Sequence, residues 1–372
     1  MTGAGHGYAS SAFFTLNGCS WSADFMFKHG DAVDRGQWGP PFLLYLGRAP
    51  DDLAIKTARG LAYWRPEWCI GQYRNPGCRL TLDLPDMEPA RAKTAGANTM
   101  VIGTASAGGV MPRETIADII TALDANLNVI SGLHEKLRKN PDIVAAAERN
   151  GRTLFDAREY TQRIPVGTGR KRSGRRLLTV GTDCSVGKMY TTLAIERCMR
   201  KRGLEADFRA TGQTGIFIAG AGIPVDAVIA DFISGAAELI SPAREDDGWD
   251  LIEGQGSLFH PSYAGVSLGL LHGSQPDALV LCHELTRQHM RGLPGCPVPD
   301  LARCLEANLI AARLTNPAVK AVGVALNTSH VSEQEARAAC REIAGRLDLP
   351  CEDPVTMGVE SIVDNLLSCC VH

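Results

Sequence analysis

The segment Gly181-Thr182-Asp183-Cys184-Ser185-Val186-Gly187-Lys188 constrains this chain more than any other. The apolar run Leu177 to Val180 leads straight into it, and a helical pattern from Lys188 to Arg202 follows. Strand, glycine-bounded loop and helix in that order make a phosphate-binding loop. The glycines let backbone N–H groups face an anion, and the helix start adds its positive end. Lys188 supplies a point charge that reaches a terminal or bridging phosphate. The whole segment, with Met189 and Tyr190 after it, is the expected site for a phosphate-bearing cofactor.

Two departures from the usual loop matter. Five residues separate Gly181 from Gly187, one more than the common motif has. Met189 also stands where a Ser or Thr hydroxyl would bind Mg²⁺. A thioether is no ligand for a hard cation, and Thr191 and Thr192 come too late to replace it directly. The loop is fit to hold phosphates and poorly fitted for metal-assisted cleavage of ATP, so no metal is expected.

A chain of 372 residues is long enough for two domains. Short apolar runs alternate with helical stretches from Phe42 onward. Phe42 to Leu46, Thr99 to Gly103 and Leu127 to Ser131 read as strands, with helices over Asp51 to Gly60 and Glu114 to Ala125. The glycine-rich Gly103 to Gly109 reads as a strand-to-helix turn. Residues 157–176 carry Pro165, Gly167, Gly169, Gly174 and the run Arg170-Lys171-Arg172 with Arg175 and Arg176. That composition marks a linker, and its basic run reads as solvated chain or as a patch that attracts phosphates. Further strands are expected at Ala206 to Arg209, Asp250 to Glu253, Ala278 to Cys282 and Ala321 to Asn327, with helices over Leu301 to Leu314 and Ser332 to Leu347. Such alternation implies parallel sheets covered on both faces. The expected fold class is α/β: a domain over 41–160, a linker over 161–176, and a doubly wound sheet around the loop over 177–372. Residues 1–40 lack periodicity and read as a loose, disordered extension or an upstream start choice.

Apolar residues are 45% of the chain, enough for two cores, and the net charge of −3 argues against a nucleic-acid partner. Twelve cysteines show no CxxC pair. No secretory leader and no apolar run of membrane-spanning length stand out, so a reduced cytoplasm is the expected setting.

The loop resembles that of dethiobiotin synthetases, which read GTD-x-x-VGKT, and Asp250-Leu-Ile-Glu253-Gly254-Gln255-Gly256 resembles their EGAGG segment. A closer resemblance covers nearly everything from about Pro41. It is carried by WRPEWCIGQ (64–72), SGLHEKL (131–137), PVGTGRKRSG (165–174), LLTVGTDCSVGKMYTTLA (177–194), DFRATGQTGI (207–216), EGQGSLFHPSYAGVSLGLLHGSQPDALVLCHE (253–284) and NTS (327–329). On these segments the chain resembles the D-glutamate N-acetyltransferases. The resemblance implies a Rossmann-like N-terminal domain, a C-terminal P-loop domain, acetyl-CoA as acetyl donor and D-glutamate as acceptor. Coenzyme A carries a pyrophosphate and a ribose phosphate, which a phosphate loop can hold without hydrolysis.

Acyl transfer to an amine needs a proton acceptor, a positioned amine and a stabilised oxyanion. Glu253 ends a strand at the carboxyl edge of a sheet, where ligands bind in open α/β folds. It is the first candidate base, or the group that orients the base, or an acid that only hydrogen-bonds the loop. His260 is a second proton-transfer candidate, and Asp183 could position the acetyl end or shape the turn. D-Glutamate should meet cations and hydrogen-bonders: Arg209 at a strand end, with Gln213 and Thr214 after it. His283-Glu284, at another strand end, offers one group to the site, and His272 reads as a helix-end residue. Arg65, Arg74, Arg79, Arg113, Arg287 and Arg291 remain further candidates. Cys184, near a helix start, is expected to have a lowered thiol pKa.

Three competing readings stand beside the acyltransferase. One is an ATP-dependent ligase or kinase of the dethiobiotin-synthetase type, against which Met189 counts. Another is an NAD-dependent epimerase, for which a full GxGxxG with a following acid is missing. The third is a non-enzymatic nucleotide sensor, which leaves the polar residues at several strand ends unexplained. As an enzyme of this class, the chain is expected to form a homo-oligomer.

Overall fold

Phe42–Gly47 (β1) is buried at every position, as a strand must be when both sheet faces are covered. A computed structural model describes residues 38–104 and 111–370 of the chain. The expectation for residues 1–37, and most of that for Gly103 to Gly109, lies outside the described residues.

The first half runs β1, α1 (Lys56–Trp64), β2 (Cys69–Arg74), α2 (Pro89–Thr94), β3 (Thr99–Ile102), α3 (Arg113–Asp124), β4 (Asn128–Ser131), α4 (Pro141–Asn150) and β5 (Leu154–Asp156). Its strands form a five-stranded parallel sheet in the order β2-β1-β3-β4-β5. The second half runs β6 (Arg175–Gly181), α5 (Lys188–Lys201), β7 (Ala206–Arg209), α6 (Gln213–Ala219), α7 (Ile233–Ile240), β8 (Trp249–Ile252), α8 (Ala264–Ser274) and β9 (Ala278–Glu284). A hairpin of β10 (His289–Met290) and β11 (Leu293–Pro297) follows, then α9 (Leu301–Arg313), β12 (Lys320–Asn327), α10 (Glu333–Leu347), β13 (Cys351–Glu352) and α11 (Glu360–Cys370). Its parallel sheet has six strands in the order β13-β12-β9-β6-β8-β7. β6 lies between β8 and β9, where the winding reverses, so the loop at its carboxyl end opens at the switch point that ligands use.

Three expectations shift. Asp51 caps a turn, accepting from the Ala54 N–H at 2.8 Å, and the helix begins only at Lys56. Arg175 and Arg176 belong to β6 rather than to the linker. β2 and β5 escape sequence reading because they are short and polar-interrupted.

Side chains alternate across β1: Leu43 and Tyr45 join a core with α3 and α4 residues, while Phe42, Leu44 and Leu46 face the other way. That second face shares one apolar cluster with Leu61 and Trp64 of α1, Leu193 of α5, Phe217 of α6, and Leu177, Leu251 and Val280 of the second sheet. Helices α1, α5 and α6 therefore form a wall common to both sheets. The far face of the second sheet, including Leu178, Ile252 and Leu279, packs with α7, α8 and α9. Among the described residues no helix is long and apolar enough to cross a membrane.

Candidate active site

The loop after β6 is held by its own backbone. Gly187 has φ +103°, a conformation that favours glycine. Thr182 donates its N–H to the Cys282 carbonyl at 3.1 Å and accepts from Ser257 Oγ at 3.0 Å, while its hydroxyl meets His283 Nδ1 at 2.9 Å. Val186 packs against Gly181, where a Cβ would come within 2.9 Å of Val186 Cγ2. Lys188 is buried, and its Nζ donates to the Asp183 carbonyl at 2.8 Å and the Gly256 carbonyl at 2.9 Å. Burial lowers its pKa. An anion gives such a desolvated ammonium a charge partner.

Met189 and Tyr190, at the start of α5, pack against α1. A Cβ on Gly60 of α1 would lie 3.4 Å from Met189 Cε, and Tyr190 packs edge-on and tilted against Trp64 and Tyr63 at 5.7 and 5.5 Å. The residue that breaks the metal-binding pattern thus serves the wall between the sheets. Tyr190→Ala should cost about 1.5–3 kcal/mol, the value of one large apolar side chain. The check is the urea midpoint, which should fall with an unchanged slope. An unchanged midpoint would show that the wall does not depend on this ring. Thr191 and Thr192 return their hydroxyls to the carbonyls of Gly187 and Lys188 at 3.0 and 2.8 Å.

Asp183 is fully buried and its oxygens are taken. Oδ1 accepts from the Cys184 N–H at 2.6 Å; Oδ2 accepts from Arg287 at 2.8 Å and from the Arg291 N–H at 2.7 Å. It ties the loop to the β10–β11 hairpin, and Arg291 adds a bond to Ser185 Oγ. Of the two roles open to Asp183, the geometry fits shaping of the turn. Sequence reading missed this hairpin because its strands are only two and five residues long.

Burial raises the Cys184 thiol pKa and outweighs Lys188. The lowered value expected from the helix start is therefore corrected, because desolvation favours the neutral thiol. An imidazole nitrogen of His260, Cys184 Sγ and an Asp183 oxygen lie within 4.8 Å of one another. These donors suit a cation poorly, since three N–H groups already occupy Asp183. His260 is buried, and its Nδ1 accepts from the Ser262 N–H at 3.1 Å. A neutral ring then carries its proton on Nε2, which is buried without a partner among the described residues. In this tautomer His260 is a donor awaiting an acceptor and not a base.

Glu253 follows β8 and is buried. Oε2 accepts from the N–H groups of Thr211 and Gly212 at 3.0 and 3.1 Å, and Oε1 from Gln255 Nε2 at 3.1 Å. Burial pushes its carboxyl up to about 7, with the two amides and Lys188 pulling the other way. Gly215 makes room, since a Cβ there would meet Oε2 at 2.4 Å; Gly254 passes so close to β6 that a Cβ would lie 1.7 Å from the Thr179 carbonyl.

The expected substrate ligands divide. Arg209 donates to Asp250 at 2.8 Å and pairs with Asp207 at 3.5 Å, so its guanidinium reaches back along β7 and β8 rather than toward the loop. Gln213 and Thr214 open α6 at the seam between the sheets. Thr214 Oγ1 lies 3.1 Å from Thr57 Oγ1 of α1, and Gln213 covers Gly132 beyond β4. His283 supports the loop through Thr182, and burial lowers its pKa to about 4, so it is neutral at pH 7. Arg287 and Arg291 do reach the loop, whereas Arg74 pairs with Asp86 and Arg65 lies over Trp68. Lys56, Arg158 and His134 escaped sequence reading. Lys56 comes near the loop residue Cys184 only through packing distant in sequence, and Arg158 and His134 lie near Lys56 in the same way.

Comparison with known proteins agrees with this geometry. Residues 165–363 match the P-loop domain of a family described as a domain of unknown function, DUF1611, and residues 73–160 match its Rossmann-like domain. A crystal structure of a DUF1611 family protein from Anabaena variabilis superposes with a TM-score of 0.81 at 31% identity, covering 88% of this chain and 99% of that one. The D-glutamate N-acetyltransferase of Tritonibacter scottomollicae is 52% identical over 326 residues, 88% of this chain and 98% of its own. That of a Pseudoalteromonas species is 49% identical over 327 residues, with the same coverage. A buried phosphate loop on a doubly wound sheet beside a Rossmann-like domain, carried at about half identity over most of the chain, places this protein in the DUF1611 family, among the D-glutamate N-acetyltransferases.

Proposed function

We propose that this protein transfers the acetyl group of acetyl-CoA to the amino group of D-glutamate. The observation that carries the reading is Glu253, a buried carboxyl held at about 7 beside the phosphate-loop lysine. A base near the working pH is what deprotonation of an ammonium requires. The loop amides and Lys188 would hold the coenzyme phosphates. No metal is needed for this, because N–H donors and an ammonium suffice for a pyrophosphate and Met189 offers no hard ligand.

Glu253 takes one proton from the substrate ammonium. The freed amine forms a C–N bond to the thioester carbonyl carbon while the C=O electrons move onto oxygen, where the His260 Nε2–H stands ready as donor. The C=O re-forms as the C–S bond breaks. The amide nitrogen passes its second proton to the departing sulfur, so coenzyme A leaves as the thiol, and Glu253 returns its proton to solvent. Every described cysteine is a free thiol, which supports a reducing cytoplasm as the setting. A homo-oligomer in solution fits the habit of such enzymes.

Incubation with acetyl-CoA and D-glutamate should release free thiol and N-acetyl-D-glutamate in equal amounts, with ATP untouched. No thiol release with any D- or L-amino acid, alongside consumption of ATP with Mg²⁺, would sink this reading in favour of a ligase or kinase.

A further inference from the structure

Lys56 opens α1 at the seam between the sheets, next to the Thr57–Thr214 contact. Among the described residues its ammonium has no hydrogen-bond or ion-pair partner. The charged and titratable groups near enough to act on it, or it on them, come from five segments: Arg291 of the hairpin, Cys184 of the loop, Arg158 after β5, Asp226 between α6 and α7, and His134 after β4. Arg158 is spent, its Nε on the Gly132 carbonyl at 2.8 Å and its NH1 on Asp226. Arg287 is likewise matched by Asp183 and Glu284. Among the described residues, the Arg291 guanidinium holds only the Ser185 hydroxyl. Among the described residues, the side chains of Lys56 and Arg291 thus have no carboxylate hydrogen-bonded or ion-paired to them at this seam, and Asp226, the acid nearest Lys56, is already paired with Arg158.

We propose that Lys56 and Arg291 bind the two carboxylates of the acceptor amino acid and so select a dicarboxylic substrate. The proposal rests on the acyltransferase reading above. Two cations at one seam, neither side chain bonded to a carboxylate among the described residues, match two carboxylates in number and charge, and an anion there relieves the repulsion of Lys56 by Arg291 and Arg158. Burial and the two arginines lower the Lys56 amine to about 8. It is charged below that pH and neutral above it, so carboxylate binding weakens as pH rises through about 8.

The test measures steady-state kinetics of the wild type, Lys56→Met and Lys56→Arg against D-glutamate, D-glutamine and acetyl-CoA. Lys56→Met should raise KM for D-glutamate roughly 10- to 100-fold, the value of a charge-assisted hydrogen bond. It should narrow the preference over D-glutamine and leave KM for acetyl-CoA unchanged. Lys56→Arg should keep tight D-glutamate binding and lose the rise of KM with pH above about 8. A rise in KM for acetyl-CoA with D-glutamate unaffected would overturn the proposal and give the cation to the coenzyme phosphates. Unchanged kinetics in Lys56→Met would overturn it too. Absence of thiol release in the wild type would instead defeat the acyltransferase reading itself, so the two failures are separable.

Discussion

Glu253→Gln is expected to lower kcat roughly 10²–10⁴-fold, the usual contribution of a positioned general base. The amide keeps the shape of the carboxylate and can still accept from the Thr211 and Gly212 N–H groups, which donate to Oε2 at 3.0 and 3.1 Å. Alanine would leave those buried donors unpaired at about 1–3 kcal/mol each and would confuse folding with chemistry. The pH profile gives a second readout. The carboxyl sits at about 7, so it is protonated below that pH and ionised above it. In the wild type kcat/KM should climb with pH through about 7, and in the glutamine variant that acid limb should vanish. A variant that keeps both its kcat and its acid limb would remove Glu253 from the proton path.

Lys188→Ala should weaken acetyl-CoA binding by about 1.5–3 kcal/mol, the net value of a hydrogen bond from a charged donor, or roughly 10- to 150-fold in Kd. The wild-type ammonium bridges the carbonyls of Asp183 and Gly256, so its loss also slackens the loop against the strand that carries Glu253. Isothermal titration with coenzyme A reads the affinity directly. An unchanged Kd would show that the loop does not hold the donor.

How far the sequence speaks depends on how local each feature is. The loop, its strand and its helix were legible because a phosphate site needs glycines and a lysine at fixed spacing along one short segment. Glu253 was legible because an acid at the end of an apolar strand lands at the carboxyl edge of a sheet. Arg209 looked equivalent by the same logic. Its longer side chain folds back to Asp250, a partner 41 positions away, and no spacing rule foretells that. Met189 read as a lost metal ligand, and only the packing of α1 reveals what it gained. The Lys56 site was illegible for the same reason, since Lys56 and Arg291 stand 235 positions apart (291 minus 56) and come near each other only in the folded chain. The thiol of Cys184 went the other way from expectation because burial, invisible in sequence, outweighs the helix start.

The wall made by α1, α5 and α6 bears on how substrates come and go. Two-domain enzymes often work as clamshells, opening about a hinge to admit ligands and shutting to exclude water. Domains move in this way when the surface between them is small and polar. Here one apolar cluster runs unbroken from β1 through Trp64, Leu193 and Phe217 to β6 and β8, and parting the halves would expose all of it. The chain is built as a fixed jaw.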